Sequence, residues 1–272
     1  MTGKLMKYEF RSVLKQIGVI WAALPAVAIL TSFTGWIYAR SALAQKNDQI
    51  LGALLSRIPM FLYVGLFIAL VVATLFVVVL RFYKGLLKEE GYLMHTLPVK
   101  EWQLITSKGI TATVTVLVSM ILAAVSIVLL NLVGNVSGVA DFFRAAGEAV
   151  REYPEALLYS VEGLIVALAG IMTEVYKIYA SLSIGQLLPK HRILGSVAAY
   201  IGIGIAFTLL GSILLTVFGQ PFVTITDHIF SDISYRQVVQ TLLGSAFLYF
   251  AVQIAIFHVT SERILSLKLN LE

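Results

Sequence analysis

The chain has 272 residues, 59% of them hydrophobic and only 13% charged, with a mean hydropathy of +0.90. A water-soluble domain carries roughly a quarter charged residues, so this composition excludes one and points to an integral membrane protein. There is no cysteine, which excludes disulfides, thiolate nucleophiles and zinc–thiolate sites.

A helix needs about 20 apolar residues to cross the hydrocarbon core, because no water is there to satisfy bare backbone groups. Six stretches meet that demand: 17–39, 58–81, 111–132, 156–184, 193–218 and 238–258. Each run is continuous, whereas barrel strands alternate over about ten residues, so the spans are predicted to be helices. The expected fold class is an all-α membrane protein. A single transmembrane domain, 1–272, would hold six spanning helices, an N-terminal interfacial amphipathic helix and cytoplasmic termini.

Ahead of the first span, Met6, Phe10, Val13, Leu14 and Ile17 recur at helical spacing, with Lys4, Lys7, Arg11 and Lys15 on the other side. Such a helix can lie in the inner headgroup layer, apolar face down; the plainer reading is the start of the first span. Ala42-Leu43-Ala44 resembles a signal-peptide cleavage site. The apolar run before it is longer than a normal signal core, so a retained helix is expected.

Between the second and third spans comes a polar cytoplasmic loop, 82–108. Lys84 to Glu90 are helix formers, Gly91 can stop that helix, and Thr96-Leu97-Pro98 makes an extended break, since the residue before proline avoids helix. Lys100 onward re-enters helix as an extension of the third span. The breaks isolate Tyr92-Leu93-Met94-His95, a short apolar turn that either docks on a protein or tucks back against the bilayer.

Asp141 to Tyr153 reads as an amphipathic helix on the outer surface, with Phe142, Phe143, Ala146 and Val150 on one side. The fourth span alone carries charge: Glu162, Glu174 and Lys177. Glu162 can reach the outer interface, Lys177 can snorkel inward, and Glu174 lies one turn from Lys177. That pair is either a local ion pair or a polar element of a substrate path. The fifth span carries Gly195, Gly202, Gly204 and Gly211, small residues that let helices approach closely. Stretch 220–236, between the last two spans, is read either as a cap on the outer side or as an ordinary surface loop.

Lysines and arginines fix the orientation, because loops rich in them stay inside. With the N-terminus inside, thirteen fall on the inner face and six on the outer, with Lys177 in a span. This asymmetry accounts for the pI of about 9.3 and gives no reason to invoke nucleic acid. No phosphate loop, HExxH or GxSxG occurs, and Glu89, Glu90 and His95 sit among lysines with no second histidine to complete a metal set. The chain is not expected to be an enzyme.

The string RFYKGLLKEEGYLMHTLPVKEWQLITSKGI, with SLSIGQLLPKHRILGS and LMKYEFRSVLK, resembles permease subunits of bacterial ABC exporters of the second type. The resemblance runs the length of the chain. It implies a multi-pass protein of the bacterial cell membrane, paired with a second permease subunit, identical or related, and with two copies of a cytoplasmic ABC ATPase. ATP and Mg would be held by that ATPase and no cofactor by this chain. The loop after the second span would be the coupling helix, making the ATPase contact through Glu90, Gly91, Tyr92, Leu93, Met94, His95, Thr96, Leu97 and Pro98. Gln186, Lys190, His191 and Arg192 would form a secondary cytoplasmic contact. The implied activity is export of a hydrophobic or amphipathic substrate: a peptide such as a bacteriocin or amphipathic toxin first, a lipid or drug second. Two other readings stay open, an ion-coupled secondary transporter using Glu174 and a membrane scaffold without transport.

Overall fold

A computed structural model of the chain describes residues 2–40, 49–87, 100–132, 136–188, 190–214, 216 and 235–268. Among these, seven α-helices and no strand occur: α1 Thr2–Arg40, α2 Gln49–Phe82, α3 Glu101–Leu132, α4 Val136–Glu152, α5 Glu155–Gly185, α6 Arg192–Leu214 and α7 Tyr235–Lys268. A π-helical turn, Tyr83–Leu87, continues α2. All but α4 contain a segment long and apolar enough to cross a membrane, six in number as the hydropathy predicts. The described part is that of a multi-pass membrane protein.

The helices overrun the predicted spans. The third predicted span begins at 111, and α3 starts at Glu101, the extension expected from Lys100 onward; its 31-residue spanning segment would measure about 46 Å against a core of about 30 Å. At the N-terminus no break separates an interfacial helix from the first span. Thr2–Arg40 is one helix of 39 residues, and Val13 and Ile17 of its expected lipid face are buried in protein.

The chain divides into two compact units, Met1–Leu80 with Ile110–Ala156, and Arg81–Gly109 with Leu157–Glu272. In the first, α1 offers the stripe Val13, Ile17, Trp21, Leu24 and Ala28, and α2 offers Tyr63, Leu70 and Val77 at seven-residue intervals. Lipid tails are as apolar as these side chains, so tight packing and interhelical hydrogen bonds must supply the specificity. Hydroxyls from α3 do so. Trp21 Nε1 donates to Ser119 Oγ at 2.9 Å, Thr74 Oγ1 lies 2.9 Å from the same oxygen, and Tyr63 Oη lies 3.0 Å from Ser126 Oγ. At another level Thr31 Oγ1 reaches Pro59 O at 3.1 Å.

In the second unit α7 is the common partner. Its Tyr249 donates to Phe207 O on α6 at 2.7 Å, and Phe257 meets Phe207 edge-on at 5.1 Å. Toward α5, Thr173 Oγ1 lies 3.4 Å from Phe250 O, and His258 packs 5.5 Å from Tyr176. Of the four glycines of α6, Gly195 and Gly211 are close approaches, to Leu188 and Tyr249, while Gly202 and Gly204 have nothing within 4 Å of an added Cβ. The Asn131 amide donates to Ile127 O of its own helix at 2.8 Å.

Candidate coupling site at the loop stems

Residues Glu90, Gly91, Tyr92, Leu93, Met94, His95, Thr96, Leu97 and Pro98 lie outside the described residues, as does most of stretch 220–236. The stems on either side of the loop are described, and both belong to the second unit. One stem is Arg81 to Leu87, the other Lys100 to Gly109. Phe82, Leu86 and Leu87 on the first and Leu104 and Ile105 on the second are buried, while Trp102 on the second is exposed. Lys84 and Lys100 stay exposed.

Two tyrosines of α5 hold the stems together. The Tyr179 ring stacks on Phe82 with centroids 4.0 Å apart and planes at 16°, while its hydroxyl donates to Lys108 O at 3.2 Å. One side chain thus grips both stems, by its face on one and its tip on the other. Such a stack is worth about 0.5–1.5 kcal/mol beyond area burial. Lys108, only 5% exposed, points its ammonium at Arg81 O, 3.4 Å away, and so ties stem to stem directly. Tyr176 meets Tyr179 edge-on at 6.1 Å and closes over Gly109. A Cβ on Gly109 would fall 2.5 Å from the Tyr176 phenol oxygen and 2.6 Å from its Cζ, so only glycine admits the ring.

The predicted secondary contact occupies the turn between α5 and α6. Lys190, His191 and Arg192 are exposed and Gln186 is half-buried. Gln186 N and Leu187 N bond back three residues, to Ser183 O at 3.2 Å and Ile184 O at 3.0 Å, so the helix ends in tightened turns. Gly185 lets the two helix ends meet. An added Cβ there would collide with Ser196 Oγ and lie 2.5 Å from Ser196 N and 2.6 Å from Arg192 O.

Glu174 and Lys177 form the ion pair their spacing predicts, at 2.6 Å. A third member was not foreseen: Tyr200 of α6 donates its hydroxyl to Glu174 at 3.1 Å and places its ring 4.8 Å from the Lys177 ammonium. Lys177 is 14% exposed but the Glu174 side chain is 55% exposed, on a helix fit to span a membrane. Glu162 is half-buried; its Oε2 is enclosed and has no hydrogen-bond partner among the described residues. No group of three or more metal-ligating side chains occurs among the described residues.

Comparison with protein-family models, with curated proteins and with solved structures finds no match.

Proposed function

We propose that this chain is the membrane subunit of an ATP-driven exporter in the bacterial cell membrane. It would work with a second permease subunit and two copies of a cytoplasmic ABC ATPase, with both termini and the 88–99 loop in the cytoplasm. The observation that carries the reading is the clamp on the loop stems. A loop that only connects two spans has no need of stems stacked and hydrogen-bonded to a third span, whereas one that delivers force must be rigidly rooted. In this reading ATP closes the ATPase pair, the turn 90–98 moves with it, and Phe82, Tyr179 and Lys108 pass the displacement to α5 as a rigid-body motion. Hydrolysis belongs to the partner, which supplies ATP and Mg. Basic residues at the loop side support the orientation, and Lys4, Lys7, Arg11 and Lys15 of α1 would then face the inner headgroups. Few fixed charges on the spans favour a hydrophobic or amphipathic cargo, a peptide before a lipid or drug.

The test is purification of the full chain from its host membrane. An ATPase subunit should come with it and be lost when Leu93→Asp or Met94→Asp is introduced, with the spans still folded. Transport by the chain alone, without ATP, would sink the proposal. The half-exposed Glu174 carboxylate favours a second reading, an ion-coupled transporter. That reading requires uptake or efflux in proteoliposomes driven by a proton or sodium gradient and abolished by Glu174→Gln.

A further inference from the structure

The described residues leave most of the apolar face of helix α4 uncovered. Its side chains from Ala140 to Glu152 are all exposed, Phe142 and Phe143 by more than half. At about 100° per residue, Val139, Phe142, Phe143, Ala146 and Val150 fall within an arc of about 100°. The five charged residues, Asp141, Arg144, Glu148, Arg151 and Glu152, occupy an equal arc on the opposite side, with Arg144 bonded to Asp141 at 3.4 Å.

Chain connectivity restricts what can cover that face. Three residues separate α4 from the end of α3, and Tyr153 and Pro154 alone separate it from α5. Both neighbours have apolar, membrane-compatible sequence up to those joints. The helix is about 25 Å long, while two or three residues reach about 7–11 Å, so it cannot stand away from the surface with both ends still attached. It has to lie along the membrane face reached by the C-terminal end of α3.

We infer that α4 lies in the headgroup layer of a phospholipid leaflet, its phenylalanines in the acyl boundary and its charges toward water. The occupant of the apolar face is lipid rather than a second copy of the chain. With three carboxylates against two guanidinium groups, the helix gains nothing from anionic lipid, so neutral phospholipid suffices. This distinguishes it from basic surface helices that depend on lipid charge. The inference is independent of the export reading and needs only the two flanking spans.

The chain has no cysteine, so single-site nitroxide labelling of the full protein in phosphatidylcholine vesicles tests it directly. Labels would be placed at Phe143→Cys, Ala146→Cys and Val150→Cys, and at Arg144→Cys, Glu148→Cys and Arg151→Cys. Collision with oxygen, which concentrates in the bilayer, should dominate at the first three sites, and collision with a water-soluble nickel chelate at the second three. The pattern should be unchanged when anionic lipid is added. Shielding of the first three from both reagents would mean a protein contact, with a second copy or otherwise, and overturn the inference. Nickel access on both faces would mean a helix free in water and overturn it equally. A pattern that appears only with anionic lipid would overturn the claim that neutral lipid suffices.

Discussion

Among the described residues, Gly109, Gly185 and Gly195 are positions where an added Cβ would fall less than 3.0 Å from a neighbour, and the first two differ in what they meet. At Gly109 the obstacle is the Tyr176 ring, itself buried against Tyr179 and His258; Gly109→Ala should cost about 1–3 kcal/mol, as overpacking does. At Gly185 the obstacles include the backbone of α6, which cannot rotate away, so Gly185→Ala should lower the thermal midpoint in detergent by more than Gly109→Ala does. Equal effects would mean that the α6 terminus yields more readily than its contacts imply. Glu174→Gln is the contrasting case: half-exposed, it should lose no more than about 1 kcal/mol, and an exporter of the proposed kind should keep its transport. The ion pair was readable in the sequence because three-residue spacing sets Glu174 over Lys177. Tyr200 was not, because its partner lies 26 positions away on another helix.

Among the elements, α1, α2 and α3 meet at one shared hydroxyl. Ser119→Ala removes the acceptor of a buried indole N–H, and stranding such a donor costs about 1–3 kcal/mol. Tyr63→Phe, which leaves Ser126 its bond to Ala123 O at 2.7 Å, should cost about 0.5–1.5 kcal/mol. Thermal unfolding of the two variants should rank them in that order. The spans were legible because hydropathy needs no partner: a continuous apolar run is a helix in lipid whatever it packs against. The clamp was hidden for the opposite reason. Tyr176 and Tyr179 sit inside an apolar run like any other aromatic, and Lys108 counted as one more inner-face charge until α5 was seen to cover it. Hydropathy also stopped the third span at 111, since Glu101, Gln103 and Lys108 lower the average without breaking the helix.

At the scale of the whole molecule, topology is the most direct check. Three spans, α5, α6 and α7, lie between Ser137 and Ser266, so Ser137→Cys and Ser266→Cys should react with an impermeant thiol reagent from opposite sides of intact vesicles, and labelling of both from one side would remove a span. Neither compact unit is a continuous stretch of chain: α2, α3 and α5 each begin in one and end in the other, the changes falling at Leu80–Arg81, Gly109–Ile110 and Ala156–Leu157. No single cut can therefore release either unit. Synthesis meets the same difficulty, because the ribosome delivers Lys108 71 residues before Tyr179. Until α5 has followed, Phe82 and Lys108 have no ring to close on, and the loop they carry hangs from unfastened stems. In the proposed exporter a nascent chain in this state could not transmit a partner's motion, and the partner's docking would become productive only after the fourth span is in place.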